Sequence, residues 1–140
     1  MLKLRGDLLE KILLSASLYK FNKRKKRQER TLLVTNKALY NINYSGLLSF
    51  FSASMLIKRR IELSKIHGFT ISETSGEFVI HVPSEYDYRY SSKDLKELII
   101  ETIAKAFYAA VPDRLLVFYF KVIIISSMIK PRSYLINFVT

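Results

Sequence analysis

The 140-residue sequence has no cysteine and no tryptophan, and only four glycines and three prolines. The absence of cysteine excludes disulfide scaffolds, cysteine-ligated zinc sites, iron–sulfur clusters and a cysteine nucleophile. The scarcity of glycine and proline excludes collagen-like and proline-rich chains. No apolar run reaches the roughly 18 residues that a membrane-spanning helix requires. The stretch 115–129 comes nearest, but Lys121 interrupts it and its residues favour a strand or a tail.

Acidic residues are also scarce, because 12 Asp and Glu face 23 Lys and Arg and leave a formal net charge of +11. Such a balance predicts an anionic partner, which can be a membrane surface, a nucleic acid or an acidic protein. Apolar residues make up 49% and aromatic residues 13% of the chain, which is too rich for a disordered protein. The length indicates one domain with a core of its own.

Hydrophobic periodicity predicts a mainly β, α+β chain of short strands followed by one helix. A helix over 92–109, with Ser91 or Ser92 as its N-cap, follows from apolar residues spaced three and four apart. Residues 43–56 have no clean period and are predicted to be a loop or insertion. Alternation predicts antiparallel strands at 12–19, 31–35, 38–42, 58–63, 69–72, 78–82 and 86–90.

Three blocks of sequence carry a resemblance to a known family. They are LYKFNKR with RQERTLLVTNKALYN within 18–41, KRRIELSKI at 58–66, and EFVIHV at 77–82 with Tyr86-Asp87-Tyr88 behind it. In this order the blocks resemble the tail-homology domain of class I myosins, over about residues 7–110. The resemblance fades beyond Pro112, so 111–140 is expected to be an apolar tail or an extra strand.

The resemblance implies a pleckstrin homology-like fold, with two packed antiparallel sheets as a sandwich or partly open barrel capped by a C-terminal helix. It also implies binding of acidic phospholipids, phosphoinositides among them, in a cytoskeletal or membrane-traffic setting. The corresponding expectation for location is cytoplasmic, at the membrane periphery or with the cytoskeleton. No G-x-x-x-x-G-K-[ST] phosphate loop occurs, so the motor activity of full myosins is not expected of this chain.

Seven basic residues and one acid lie between positions 20 and 30, where a loop joins the first two predicted strands. Arginine offers a planar fork and lysine a point charge to phosphate groups. Alternate residues of a hairpin share a face, so Lys20 and Arg30 are expected to converge under the loop tip. A second basic run begins a later strand. The predicted lipid- or phosphate-binding residues are Lys20, Lys23, Arg24, Lys25, Lys26, Arg27, Arg30, Lys58, Arg59 and Arg60.

Two other anionic partners remain open at this point. The second hypothesis is a protein-interaction scaffold of the cytoskeleton, in which the basic face meets an acidic protein surface. Nucleic acid is the less favoured alternative: Tyr19, Phe21, Tyr40 and Tyr44 could stack on bases near the basic loop, but no RNP, KH, zinc-finger or helix-turn-helix signature is present.

The sequence predicts no catalysis, no metal site and no cofactor. The two histidines, His67 and His81, lack further ligands at metal-binding spacing and are expected to be structural. Glu85 and Asp87 are expected to balance Arg89 or nearby lysines rather than to act as acid and base. A period of two places Tyr86, Tyr88 and Tyr90 on one strand face, where packing is the expected role and a peptide groove the alternative.

Overall fold

The computed structural model describes residues 10–44 and 55–122. The strands are β1 (Ile12–Phe21), β2 (Arg27–Thr35), β3 (Ala38–Tyr44), β4 (Met55–Glu62), β5 (Gly68–Ser72), β6 (Glu77–His81), β7 (Tyr88–Ser91) and β8 (Val117–Lys121). A 3-10 turn, Leu63–Lys65, follows β4, and the helix α1 (Lys96–Ala110) lies between β7 and β8.

The strands form one sheet in the order β4-β3-β2-β1-β7-β6-β5-β8. All pairings are antiparallel except the parallel pairing of β5 with β8. The order has two ends, β4 and β8, so the sheet does not close into a barrel but folds over its core as a sandwich. The α+β, mainly β prediction with one helix near the C-terminal end is confirmed.

The core lies between the folded sheet and α1. Strand residues whose side chains point to the inner side of the sheet, such as Leu32, Phe69 and Phe78, are fully buried there. The helix contributes a face of apolar residues spaced three and four apart, on which Ile103 and Phe107 are fully buried. Burial of side chains of this size stabilises a fold by about 1.5–3 kcal/mol each.

Several predicted boundaries are wrong. The helix begins at Lys96 rather than 92, because Ser92 caps a preceding turn: its hydroxyl accepts a hydrogen bond from the Leu95 N–H at 3.2 Å. The second strand begins at Arg27, inside the run assigned to the loop, since Arg27 pairs with Phe21 of β1. The predicted strand 86–90 begins only at Tyr88.

The region beyond 110 contains the edge strand β8, which lies beside β5. Gly68 permits this close parallel pairing, because a Cβ atom there would clash with the Val117 carbonyl oxygen. The remainder of the predicted tail, 123–140, and most of the predicted insertion, 45–54, lie outside the described residues. None of the described helices is long and apolar enough to cross a membrane.

Candidate functional site

The loop between β1 and β2 is a tight hairpin organised by one asparagine. The Asn22 side-chain oxygen accepts hydrogen bonds from the backbone N–H groups of Arg24 and Lys26, both at 2.9 Å. Asn22 and Lys26 also pair through their backbones, with Asn22 N–H donating to the Lys26 carbonyl at 3.1 Å. Lys25 has a φ of 62°, the left-handed conformation that completes three-residue hairpin loops. The local geometry therefore holds a cluster of exposed cations at a fixed turn.

Two basic residues flanking this loop share the inner face of the sheet. Lys20 lies opposite Gln28, and Arg30 lies opposite Leu18, one step deeper. Leu18 belongs to the buried core, so its face is the inner one. Arg30 donates to the Gln28 side-chain oxygen at 3.2 Å and to the Glu29 carbonyl at 2.8 Å. The predicted convergence of Lys20 and Arg30 on one face agrees with this register.

A third cation reaches the same face from β4. Arg59 pairs with Asn41 of β3, and Asn41 pairs with the core residue Leu32, which fixes the face. The Arg59 guanidinium donates a hydrogen bond to the Tyr86 hydroxyl at 3.1 Å and lies 5.2 Å from the Tyr86 ring centroid. The loop contributes Lys23, whose Nζ lies 6.0 Å from the same centroid. Tyr86 therefore joins the loop to β4.

We call Lys20, Lys23, Arg30 and Arg59 the basic cluster. Three of its cations lie against aromatic rings, since the Lys20 Nζ is 5.5 Å from the Tyr88 ring centroid in addition to the Tyr86 contacts of Lys23 and Arg59. Within the described residues, no ion pair joins any of these four cations to a carboxylate. None of the four cations has a carboxylate at ion-pair distance, and together they outweigh the charge of Glu85, which acts on Arg59, so this face is electropositive.

The pKa values of the site follow from this crowding. Partial burial lowers the pKa of Lys20, and the positive charges of Arg30 and Arg59 lower it further, against an opposing effect of Tyr86. Partial burial raises the pKa of Tyr86, but its hydrogen bonds with Arg59 and Tyr88 and the charge of Lys20 outweigh burial and leave the pKa below its usual value. Incoming negative charge would relieve the repulsion among the cations.

Tyr88 and Glu85 complete the wall of the site. Burial raises the pKa of Tyr88, and its hydrogen bonds with Tyr86 and Glu85 raise it further. The Tyr88 hydroxyl donates to a Glu85 carboxylate oxygen at 2.9 Å. Glu85 therefore holds a tyrosine. Its charge also helps to raise the pKa of Arg59, after the larger effect of the Tyr86 hydrogen bond, so the basic neighbour that it offsets is Arg59 rather than Arg89 or a lysine. The shared face of Tyr86, Tyr88 and Tyr90 is confirmed by stacked or tilted rings with centroids 4.6 and 6.4 Å apart.

Arg60, a predicted site residue, lies in a different environment from its neighbour Arg59. Its guanidinium donates to the Tyr40 hydroxyl at 2.9 Å and to a carboxylate oxygen of Glu10 at 3.0 Å. Glu10 is fully buried and also accepts hydrogen bonds from the Tyr40 and Thr35 hydroxyls. Arg60 therefore neutralises a buried carboxylate, and the structure does not bring it to the basic cluster.

The other predicted residues divide between the loop tip and the outer face. Arg24, Lys25 and Lys26 are exposed at the tip. Arg27 lies on the outer face of the sheet, with its guanidinium carbon 4.2 Å from the Tyr19 ring centroid. Lys58 is placed by its backbone within β4, at the irregularity between the pairs of Asn41 and Ile42.

Sequence reasoning missed Asn22 and Gln28, and it gave Tyr86 and Tyr88 a packing role with a peptide groove as the alternative. An asparagine at the start of a hairpin loop is a recognisable turn signal, so Asn22 could have been found. The tyrosines could not, because their contacts with Lys20, Lys23 and Arg59 depend on strands far apart in sequence.

A threonine, a histidine and an aspartate are hydrogen-bonded in series on β5, β6 and the segment before β7. The His81 ring lies 2.6 Å from the Thr70 hydroxyl and 3.0 Å from an Asp87 carboxylate oxygen. The hydrogen bond from His81 lowers the pKa of Asp87 despite partial burial. Thr70 is only 4% exposed within the sheet, so the series fits packing better than nucleophilic attack. Asp87 pairs with His81 and Arg89 with Glu77, which corrects the expected pairing of Asp87 with Arg89.

Comparisons with known structures agree with this fold. The apo structure of an activated truncation of Vav1 has a TM-score of 0.62 at 15% identity, covering 78% of this chain and 30% of that one. The linker-DH/PH domains of p115-RhoGEF give 0.60 at 12% identity, covering 74% of this chain and 30% of that one. The complex of human RhoA with the DH/PH fragment of PDZRHOGEF gives 0.60 at 14% identity, covering 71% and 29%.

These likenesses show a PH-like fold, and the chain spans less than a third of the length of each of these three solved chains. No curated protein matches the sequence. A family model described as "Unconventional myosin tail, actin- and lipid-binding" matches residues 2–115. This confirms the resemblance drawn from the sequence blocks, and the chain belongs to the unconventional myosin tail family.

Proposed function

We propose that this chain is a non-enzymatic module that docks on anionic membranes and holds phosphoinositide headgroups in the basic cluster. The observation that carries the proposal is that Lys20, Arg30 and Arg59, from three different strands, share one face without an ion-paired carboxylate among the described residues. The family description as actin- and lipid-binding supports the lipid part of this function.

The basic cluster and the loop tip are proposed to act differently. Arg30 and Arg59 offer guanidinium forks for bidentate phosphate contacts, and Lys20 offers a point charge on the same face. Arg24, Lys25 and Lys26 project from the tip and attract any anionic surface, at about 1 kcal/mol for each residue near the membrane. The cluster would therefore supply headgroup preference, and the tip would supply general attraction.

The test is vesicle co-sedimentation at near-physiological salt, with neutral, phosphatidylserine and phosphoinositide vesicles. A variant with Lys20→Ala, Arg30→Ala and Arg59→Ala is compared with a control that carries Lys11→Ala, Lys93→Ala and Lys105→Ala. Both variants lose three positive charges, but the control residues are exposed and lie outside the cluster. We expect the cluster variant to lose the preference for phosphoinositide vesicles and the control to keep it. Equal loss of this preference in both variants would show that net charge alone accounts for the binding.

A cytoskeletal protein partner is the second candidate, because the family description also includes actin. An acidic protein surface would meet the same basic face. Soluble inositol phosphates separate the two functions: they should compete strongly with vesicles for the basic cluster and only weakly with a large acidic protein surface. Binding to DNA or RNA at least as tight as binding to vesicles would instead favour the nucleic-acid alternative.

A further inference from the structure

A pocket of about 460 Å³ lies where three connecting segments of the chain meet. Lys65 and His67 come from the segment between β4 and β5, Ser84 from the segment after β6, and Arg114 and Leu115 from the segment between α1 and β8. None of the residues of the basic cluster lines this pocket. The pocket is therefore a separate site from the proposed phosphoinositide site.

Arg114 is held in a fixed position at this pocket. Its Nη2 donates hydrogen bonds to the carbonyl oxygens of Ser64 and Ile66, at 2.7 and 2.9 Å. Its guanidinium carbon lies 5.2 Å from the ring centroid of Phe107. Among the described residues these contacts engage only Nη2 and the face of the guanidinium, so Nη1 and Nε keep N–H groups for a ligand.

Lys65, His67 and Ser84 place further donors around Arg114. All three residues are exposed, and within residues 10–44 and 55–122 none of their side chains has a hydrogen bond or an ion pair. An ammonium, an imidazole and a hydroxyl each donate hydrogen bonds. Such donors beside a fixed guanidinium suit a phosphate group, whose oxygens accept charge-assisted hydrogen bonds.

The described lining of the pocket contains no acidic residue. Three acids lie close to it in sequence, but none of them lines it. Glu62 pairs with Arg60 at 3.4 Å, and Glu85 accepts a hydrogen bond from Tyr88. Asp113 is exposed beside Arg114 in the chain. The pocket therefore presents cations to a ligand without a carboxylate in its described wall.

An apolar side chain stands at the rim of the pocket. Leu115 is 56% exposed, and Pro83 at the rim is exposed as well. Exposed apolar side chains beside cations are typical of surfaces that dock on membranes, where the apolar groups enter the boundary of the acyl chains. This rim favours a lipid over a soluble phosphorylated protein as the source of the phosphate.

The pocket also lies close to the basic cluster along the chain. Ser84 is two residues from Tyr86, whose ring contacts Lys23 and Arg59 of the basic cluster. Two residues span at most about 7 Å. The two sites are therefore near enough for one membrane surface to supply a headgroup to each.

We propose that this pocket holds the phosphate monoester of a second membrane lipid, so that the chain docks through two headgroup sites. Arg114, Lys65 and His67 donate hydrogen bonds to the phosphate oxygens, and Leu115 enters the membrane interface. A phosphate monoester offers three acceptor oxygens and a charge of about −1.5 to −2, which suits several converging cations better than a phosphodiester does. The pocket shares no residue with the basic cluster, so the proposal does not depend on phosphoinositide binding there.

The first test records amide NMR spectra of the full chain while soluble dihexanoyl phosphatidic acid is added below its micelle concentration. We expect saturable shifts at His67, Ser84 and Leu115, and much smaller ones with the phosphodiester lipid dihexanoyl phosphatidylserine. The basic-cluster variant Lys20→Ala, Arg30→Ala, Arg59→Ala should show the same shifts, which separates the pocket from the cluster. A dihexanoyl phosphatidylinositol phosphate added to that variant tells which lipid supplies the monoester. Absence of saturable shifts with both monoester lipids would overturn the proposal.

The pocket variant is Lys65→Ala with His67→Ala, and its control is Lys11→Ala with Lys93→Ala. The control loses two positive charges at exposed positions outside the pocket. We expect the pocket variant to lose the NMR shifts and to bind phosphatidic acid vesicles about tenfold more weakly than the parent chain. The control should bind within about threefold of the parent, and thermal denaturation should be alike in all three chains. An equal loss of binding in both variants would assign the effect to net charge and refute the pocket.

A phosphoserine peptide and the variant Leu115→Ser distinguish a membrane from a phosphorylated protein. We expect no saturable shifts with the peptide at the concentration where the lipid saturates. Leu115→Ser should weaken binding to phosphatidic acid vesicles about fivefold, because an apolar side chain no longer enters the interface. Tighter binding of the peptide than of the lipid would identify a phosphorylated partner, and it would overturn the membrane proposal. Vesicle binding of Leu115→Ser equal to that of the parent chain would overturn it as well.

Discussion

The buried carboxylate of Glu10 is balanced by a single guanidinium. Glu10 has no exposed surface, and Arg60 is its only ion-pair partner among the described residues. The Tyr40 and Thr35 hydroxyls add hydrogen bonds, but neither carries a positive charge. Removing one member of a buried ion pair leaves an uncompensated charge, which costs about 3–5 kcal/mol.

Arg60→Ala should therefore lower the free energy of unfolding by about 3 kcal/mol. Urea denaturation measures this change, and Arg59→Ala, one residue away, is the control. Arg59→Ala should leave stability nearly unchanged and weaken vesicle binding, because Arg59 is exposed and contacts Tyr86. Adding Glu10→Gln to Arg60→Ala should restore part of the lost stability. If Arg60→Ala loses vesicle binding without losing stability, Arg60 belongs to the lipid site instead.

Lys20 is expected to cost the fold some stability. Burial, then Arg30 and Arg59, lower its pKa below the usual 10.5, so folding disfavours its charged form. This cost is fully present below the lowered pKa and is lost as pH rises from that pKa through 10.5. Lys20→Met keeps the apolar stem and removes the charge. It should raise the free energy of unfolding at pH 7 and weaken binding to phosphoinositide vesicles.

Denaturation of Lys20→Met and the parent chain across pH 7 to about 11 checks the sign. The difference in stability should shrink as Lys20 of the parent chain loses its proton. A difference independent of pH would assign the effect to packing rather than charge. The phosphoinositide affinity of the parent chain should fall through the same pH range.

At the scale of elements, the β1–β2 hairpin sets the position of most of the predicted site. The Asn22 side-chain oxygen closes the loop by accepting two hydrogen bonds from backbone N–H groups, and the residue carries no charge itself. Asn22→Ala should lower stability by about 1–2 kcal/mol, because it removes two hydrogen bonds that are typically worth about 1 kcal/mol net each. It should weaken phosphoinositide binding more than phosphatidylserine binding, since the loop's charges remain but their arrangement loosens.

Vesicle co-sedimentation beside thermal denaturation tests this prediction. Lys25→Gly is the informative control, because it removes one loop charge while glycine suits the positive φ at that position. It should keep or raise stability and weaken binding to both anionic vesicles alike. An Asn22→Ala chain with the phosphoinositide preference of the parent would show that loop geometry contributes nothing to recognition.

The elements most visible in the sequence were those whose signals are local. Alternation and the Asn36-Lys37 turn predicted the hairpin of β2 and β3, and the three-and-four spacing predicted α1. The start of β2 at Arg27 was missed, because a strand segment whose outer face meets solvent and aromatic rings has no apolar pattern. The sequence could not assign different roles to adjacent basic residues either. Successive side chains of a β-strand point to opposite faces, so Arg59 contacts Tyr86 and Arg60 contacts Glu10.

At the scale of the whole molecule, a net charge of +11 attracts any anionic surface, whereas we propose that the basic cluster recognises one headgroup through a fixed arrangement of cations. Salt separates these two contributions, because the Debye length falls from about 10 Å at 0.1 M to about 3 Å at 1 M. We expect phosphatidylserine binding to fall steeply as salt rises and phosphoinositide binding to fall less, since close, partly desolvated contacts are screened less. Co-sedimentation across a salt series measures both, and the Lys20→Ala, Arg30→Ala, Arg59→Ala chain should show one common steep dependence. If the parent chain already loses both lipids in parallel, the cluster adds charge without recognition, and the module is a general sensor of anionic membrane.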